Sequence, residues 1–205
     1  MRVLVPFDSH DPNTRLSPVL DTDERREFAG VLLDDVVETI GAAGHDPEIL
    51  ATEPVDADCP VHVDERPLSP AINAVLAAAT GPVAIVMSDL ALATADSLTA
   101  LFDPAADVVL APGLGGGTNA IVIRETAFRA DYHGDSYRKH RREADRCGAA
   151  VETVDSFRLA VDIDEPDDLV ELLIHGRGES AGWLREAGFE LDTTDGRCVV
   201  ERDQS

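Results

Sequence analysis

The sequence predicts an α/β protein with a mostly parallel sheet, and three observations support this. The chain has 205 residues and is 44% hydrophobic, which suits one domain with a substantial core. Short apolar runs alternate with segments of helical periodicity, as in βαβ units. The run Pro82–Met87 (PVAIVM) is apolar throughout, as expected of a strand that is buried on both faces of a parallel sheet.

The first half of the chain gives six predicted elements. Phe28, Leu32, Val36 and Ile40 recur every four residues after Asp21, which predicts a helix with one buried face. Pro70 stands where a helix tolerates proline, in the first turn. In order, the elements are a strand at 2–6, a helix from 21 to about 41, weak strands at 49–50 and 61–63, a helix from 69 to about 80, and the strand at 82–87.

The second half continues the alternation up to residue 175. The predicted elements are a helix at 94–102, strands at 108–111 and 120–123, a basic helix at 136–147, strands at 151–154 and 160–163, and a helix from 165 to about 175. We therefore expect a main domain over 1–175.

Residues 176–205 are predicted to be an extension of the same domain. They carry a short helix near 183–187 and then a hairpin, whose strands are 189–191 and 198–201 and whose turn contains Asp195-Gly196. The extension packs on its own domain or against a second subunit.

Charge is the strongest compositional signal. The chain has 40 acidic and 17 basic residues, a formal net charge of −23, and Lys139 as its one lysine. Such a surface repels nucleic acids and anionic membranes, so neither is an expected partner. Concentrated salt screens this self-repulsion. The composition thus predicts adaptation to a salt-rich cytoplasm, such as that of a halophilic archaeon; the alternative is an acidic mesophilic enzyme.

The cysteines and the apolar runs indicate a cytoplasmic protein. Cys59, Cys147 and Cys198 are far apart and form no CxxC pair, as expected of free thiols in a reducing compartment. No apolar run approaches the ~20 residues that span a bilayer. The N-terminus lacks the features of a signal peptide.

Ligands of open α/β sheets bind at the carboxyl ends of the strands, and three segments follow such ends. The loop 7–18 carries Arg15, which can grip phosphate with two hydrogen bonds. Asp89 follows the most apolar strand and is either a Mg²⁺ ligand or the cap of the next helix. Asp162 and Asp164 alternate on one face of a predicted strand, as a second half of a metal site or as a solvated acidic rim.

Two further segments are candidates for anion binding. The Gly-rich stretch Gly113–Thr118 follows a strand but lacks the ending of a P-loop. The helix around Arg138–Arg142 holds many of the few cations and either contacts an anionic substrate or forms internal salt bridges. The histidines show no metal-like spacing.

Six segments in register resemble the 2-phospho-L-lactate guanylyltransferases, over about residues 1–175. They are the opening VPF and NTRLSPVL, followed by an ER helix, then LSPAINAV, SDLAL, GGGTNAIVI, YHGDSYRKHRREA and AVDIDEPDDL. The resemblance implies a Rossmann-like three-layer α/β/α fold of the nucleotide-diphosphosugar transferase type, with a mostly parallel mixed sheet. It also implies a haloarchaeal-type member of this family.

The resemblance further implies a reaction and its partners. GTP and 2-phospho-L-lactate would give lactyl-2-diphospho-5′-guanosine and pyrophosphate for deazaflavin coenzyme F-420, in a cytoplasmic homodimer that uses Mg²⁺. Phosphoenolpyruvate is the alternative acid, and a non-catalytic nucleotide-binding protein is the alternative class.

Residue roles are carried over by position, with catalysis assigned to Arg15 and Asp89. The implied sets are Thr14, Arg15 and Asn73 for the nucleotide, Thr118, Gly134, Ser136, Arg138 and His140 for the phospho-acid, and Asp89 with Asp162 or Asp164 for the metal. Two lysines of the family's first loop are missing, and Asp8 and Asn13 stand near their places. Arg15 and the metal are therefore expected to contribute more to phosphate binding.

Overall fold

A computed structural model describes residues 1–193, 196 and 198–203. Its main sheet has seven strands in the order β3-β2-β1-β4-β6-β5-β7. Strand β6 runs antiparallel to both of its neighbours, whereas the other paired strands of this sheet are parallel. The strands are β1 (Arg2–Phe7), β2 (Pro47–Ala51), β3 (Val61–Val63), β4 (Val83–Val86), β5 (Val108–Pro112), β6 (Thr118–Ile123) and β7 (Val151–Thr153).

Helices cover both faces of this sheet, which gives the predicted three-layer architecture. Val3 and Val5 of β1 belong to one apolar cluster and Leu4 to another, because side chains alternate across a strand. Helices α1, α3 and α5 pack into the first cluster, and α2 and α4 into the second. The helices are α1 (Thr22–Ala42), α2 (Leu68–Ala78), α3 (Ala95–Phe102), α4 (Ser136–Cys147), α5 (Phe157–Ala160), α6 (Asp168–His175) and α7 (Glu179–Glu186), with a 3₁₀ helix at Thr14–Leu16.

A local sequence signal places the start of α1 where it was predicted. The Asp21 side chain accepts hydrogen bonds from the backbone N–H groups of Asp23 and Glu24, and the Glu24 side chain accepts one from Asp21 N–H. This capping box satisfies donors that have no partner in the first helical turn. The long first helix therefore begins directly after Asp21.

The predicted strand at 160–163 is wrong. Residues 157–160 form the short helix α5, and no strand follows it before α6. Val161 and Ile163 are buried, so the apolar alternation is real, but they pack in an apolar cluster without pairing to any strand of the main sheet. The Ile163 N–H instead donates to the backbone carbonyl of Asp89, at 3.0 Å. The backbone conformation of this segment is therefore determined by a contact with a distant residue, which the periodicity of the sequence does not reveal.

The C-terminal extension packs on its own domain. Phe189 and Leu184 join Phe28 and Leu32 of α1 in a common apolar cluster. Strands β8 (Phe189–Asp192) and β9 (Val199–Arg202) pair antiparallel, as the hairpin prediction required. Of the predicted turn, Asp195 lies outside the described residues. No helix in the described ranges is both long and apolar enough to cross a membrane.

Asp35 of α1 holds the start of α7. Its buried carboxylate accepts hydrogen bonds from Glu179 N–H, Ser180 N–H and the Ser180 hydroxyl. Gly178 permits this approach, since a Cβ atom there would lie 2.3 Å from the carboxylate of Asp35. One side chain of α1 thus caps a helix more than 140 residues further along the chain.

Replacing Asp35 with Ala should destabilise the protein, because it leaves three buried or half-buried donors without an acceptor. We expect a loss of about 2 kcal/mol, or a fall in Tm of about 4–8 °C for a domain of this size. Thermal unfolding in concentrated KCl measures it. Asp34→Ala, at the exposed neighbouring position, is the control and should leave Tm almost unchanged. Equal Tm values for the two variants would contradict the capping role.

Candidate functional site

Antiparallel β6 brings two loops to one edge of the sheet. Strand β4 ends at this edge and leads to Asp89, while β6 begins there after the loop 113–117. The Met87 N–H donates to the Asn119 carbonyl at 3.0 Å, which extends the β4–β6 pairing up to the site. The Gly-rich loop and Asp89 therefore lie side by side, as the strand-end rule predicted.

Asn119 ties the acidic segment 162–164 to the same edge. Its Nδ2 atom lies 3.1 Å from the Leu159 carbonyl, 3.2 Å from the Ala160 carbonyl and 3.3 Å from Asp162 Oδ1. Gly113 makes room for this amide, because a Cβ atom there would lie 2.3 Å from Asn119 Oδ1. With the Ile163–Asp89 backbone bond, these contacts fix the segment beside Asp89.

Asp89 is held in an environment that disfavours its charge. Burial, and secondarily the charge of Asp162, raise the pKa of Asp89 from 3.8 to about 7. Burial and the same neighbour raise the pKa of Asp164 to about 6. The Asp89 Oδ1 atom is buried and accepts no hydrogen bond from any residue that the structure describes. The helix that follows is capped by Thr94, so Asp89 does not serve as its cap.

A cavity of about 490 Å³ opens next to Asp89. Its walls come from the loop after β1, from Thr52 after β2, and from the segment after β3. The polar and charged lining residues are Asp8, Asp11, Asn13, Thr52, Asp64, Glu65, Arg66, Ser88 and Asp89. Sequence reasoning missed Thr52 and 64–66, although the strand-end rule applied to the two weak strands would have pointed to them.

The first loop presents both a strained residue and a cation. Asn13 has a φ of 49°, in the left-handed region, and its buried Nδ2 finds no acceptor within the described chain. Thr14 and Arg15 follow in the 3₁₀ helix. Arg15 Nη1 lies 2.8 Å from Asp164 Oδ2 and 3.3 Å from Glu165 Oε1, and the side chain is largely exposed. Arg15 therefore links the first loop to the acidic segment.

A second polar group surrounds the start of β6. The Ser136 hydroxyl accepts a hydrogen bond from Thr118 N–H at 2.8 Å, and Thr118 Oγ1 lies 2.9 Å from His140 Nδ1. All three residues are buried. Gly134, with a φ of 59°, lies two residues before α4, and the exposed Arg138 pairs with Asp135. The structure thus brings the predicted phospho-acid residues together, with His140 behind Thr118 rather than at the surface.

Asn73 lies apart from this arrangement. Its Nδ2 donates to the Ala130 carbonyl and its Oδ1 accepts from Ala130 N–H, both at 2.8 Å. One donor and one acceptor of the amide thus bond a single backbone residue. Asn73, like Thr14 and Arg15, does not line the cavity. The geometry gives it a structural role in holding the loop before α4.

The carboxylates at the edge suit a divalent cation that also binds phosphates. Among the described residues, no three or more His, Cys, Asp or Glu side chains form a metal-binding group. Mg²⁺, however, usually takes one or two carboxylates and fills its remaining positions with water and substrate phosphates. The buried, unpartnered oxygen of Asp89 beside Asp162 fits that pattern.

Comparison with known proteins identifies the family. Residues 1–203 match the guanylyl transferase CofC-like family. The chain belongs to this family. The CofC-like chain is 58% identical to a 2-phospho-L-lactate guanylyltransferase from Halomicrobium mukohataei, covering 98% of this chain and all of that protein. It is 52% identical to the protein of that name from Haloferax volcanii, with both chains covered in full.

Solved structures share the fold of this CofC-like chain. A structure described as a candidate nucleotide-diphospho-sugar transferase from Desulfovibrio desulfuricans superposes with a TM-score of 0.73 at 16% identity, covering 91% of this chain and 95% of that one. A nucleotidyl transferase from Methanothermobacter gives 0.61 at 14% identity, covering 90% and 98%. These likenesses confirm the predicted nucleotide-diphosphosugar transferase fold.

Replacing Asp89 with Asn should stabilise the metal-free protein at alkaline pH. Because the folded state raises the pKa of Asp89 from 3.8 to about 7, it binds more protons than the unfolded state between these values, and stability falls as pH rises through them. Asn cannot ionise, so the variant escapes this loss.

Thermal unfolding with EDTA in concentrated KCl measures the difference. We expect the variant to exceed the wild type at pH 8 by several degrees, each kcal/mol being worth about 2–4 °C, and the difference to shrink towards pH 4. A variant that is less stable than the wild type at pH 8 would show that Asp89 ionisation is not penalised.

Proposed function

We propose that this chain transfers the guanylyl group of GTP to 2-phospho-L-lactate, giving lactyl-2-diphospho-5′-guanosine and pyrophosphate. The main support is that Asp89 lines a cavity of nucleotide size, while its neighbour Asp162 bonds Asn119, the residue after Thr118. Relatives that this chain matches end to end bear the name of that activity. The product belongs to the synthesis of the deazaflavin coenzyme.

The nucleotide is assigned to the cavity beside the first loop. Its volume of about 490 Å³ lies within the usual range for small-molecule sites. Thr14 and Arg15 hold the triphosphate, and Arg15 exchanges its exposed contact with Asp164 for phosphate oxygens. Asn73 is not assigned a nucleotide contact, since both of its observed hydrogen bonds go to Ala130.

Asp89 and Asp162 are the carboxylates that would hold Mg²⁺. Asp162 is chosen over Asp164 because its charge contributes more to the raised pKa of Asp89. When bound, Mg²⁺ neutralises phosphate charge in the transition state. Asn119 keeps Asp162 in position through its amide hydrogen bond.

The phospho-acid is assigned to Thr118, Gly134, Ser136 and Arg138. A phosphate monoester has a second pKa of ~6 and is mostly ionised at neutral pH, so its attacking oxygen needs no strong general base. Catalysis then rests on holding the acid in line with the α-phosphorus and on neutralising charge. Arg138 is exposed and forms a surface ion pair with Asp135. It would leave this pair to contact the acid.

Asp89→Asn should abolish product formation while leaving the fold intact. Purified protein in concentrated KCl is incubated with GTP, Mg²⁺ and 2-phospho-L-lactate, and released pyrophosphate is measured, with phosphoenolpyruvate as the comparison acid. We expect turnover with 2-phospho-L-lactate in the wild type and in Asp34→Ala. A wild type that is inactive with 2-phospho-L-lactate would refute the proposed function, whether or not phosphoenolpyruvate is used. A near-normal rate for Asp89→Asn would remove Asp89 from the mechanism.

We also propose that the enzyme is a homodimer. The hairpin is a two-stranded sheet, and an unpaired strand edge is a surface on which another subunit can pair. The hairpin also exposes Leu191 on one face and Val199 on the other. Sedimentation velocity in concentrated KCl should give a dimer, and Leu191→Asp should shift the protein towards monomer. A wild-type monomer at micromolar concentration would contradict this assignment.

Finally, we propose that it acts in a salt-rich cytoplasm. The net charge of −23 and the single lysine support salt adaptation, and the three cysteines are free thiols, as is usual in a reducing compartment.

A further inference from the structure

His140 is a buried histidine whose two ring nitrogens both contact protein atoms. The residue is fully buried on α4. Its ring lies 5.0 Å from the ring of Tyr132, edge to face, and 5.8 Å from that of Phe128. Because both ring nitrogens have protein partners, His140 has no free polar atom for a ligand, but it can control a neighbouring group.

The hydrogen bonds of the ring determine which nitrogen carries the hydrogen. His140 Nε2 lies 3.0 Å from the backbone nitrogen of Asp131. A backbone N–H can only donate, so Nε2 must accept and carries no hydrogen. Burial also lowers the pKa of His140 to about 4, which keeps the ring neutral. The single ring hydrogen is therefore on Nδ1.

This tautomer fixes the orientation of the Thr118 hydroxyl. Nδ1–H donates to Thr118 Oγ1 at 2.9 Å, so the oxygen is an acceptor in this bond. The hydroxyl hydrogen must then point elsewhere, and no acceptor for it is found among the described residues. Ser136 is in the same condition, since its oxygen accepts from Thr118 N–H. Two adjacent hydroxyls thus present hydrogens beside the Gly-rich loop.

We propose that His140 is a positioning residue that makes the Thr118 hydroxyl an obligate donor to an anionic oxygen of the phospho-acid. The inference rests on the proposed function, because it assumes that this acid binds at Thr118 and Ser136. In this proposal, recognition of the acid depends on the hydrogen on His140 Nδ1, which is connected to the ligand through two successive hydrogen bonds. The two hydrogen bonds of His140 have different roles. The bond from Asp131 N–H determines the tautomer, and the bond to Thr118 orients the hydroxyl that binds the acid.

Two substitutions of His140 separate donor from acceptor. Asn places an amide N–H near the position of Nδ1 and preserves the bond to Thr118, whereas Gln places a carbonyl near Nε2 and preserves the bond from Asp131. Each variant loses one buried hydrogen bond, so both should lose similar thermal stability. We expect His140→Asn to keep the KM for 2-phospho-L-lactate within about threefold, and His140→Gln to raise it about tenfold or more.

Binding without turnover and a second site complete the test. Calorimetry measures the affinity for 2-phospho-L-lactate in the presence of a non-hydrolysable GTP analogue. His140→Asn should bind the acid almost as well as the wild type and His140→Gln should bind it more weakly, while the affinity for the GTP analogue is unchanged in both variants. Thr118→Ser should retain affinity and Thr118→Val should match His140→Gln. Equal KM values for His140→Asn and His140→Gln, or a Thr118→Val variant with normal affinity, would overturn the inference. Absence of product in the wild type would instead refute the proposed function.

Discussion

The backbone hydrogen bond between Ile163 N–H and the Asp89 carbonyl is the constraint on which the site depends. It brings an acidic segment from the end of the domain against the loop after the central strand β4. Like charges resist such an approach. Asn119 holds the segment against this repulsion by donating to Asp162 and to the carbonyls of the two preceding residues, Leu159 and Ala160. Gly113 leaves the space that Asn119 needs.

The resulting cluster is electrostatically costly in the absence of a cation. The pKa of Asp89 rises to about 7 because its carboxyl is buried beside other acids, in a protein whose net charge is already −23. Arg15, in the loop after β1, offsets part of this cost through its ion pair with Asp164. A site arranged in this way gains most from a ligand that brings positive charge, and such unfavourable local environments are typical of functional sites.

Much of the fold could be predicted because local signals and burial agree. The cap at Asp21 and the uniformly apolar β4 each reflect short-range chemistry, and Asp89 followed from the position of strand ends. The segment 160–163 could not be predicted, since the same apolar alternation suits a paired strand or a loop buried between helices. The hydrogen bonds of Asn73 show the same limit, because their backbone partner Ala130 lies 57 residues further along the chain.

In the site that we propose, Asp89 and the 162–164 segment together bind a divalent cation that carries the nucleotide. Anomalous diffraction from crystals grown with Mn²⁺ and GTP tests it most directly. We expect a peak that contacts a carboxylate oxygen of Asp89, an oxygen of Asp162 and the triphosphate. A peak that contacts GTP but neither of these aspartates would contradict it.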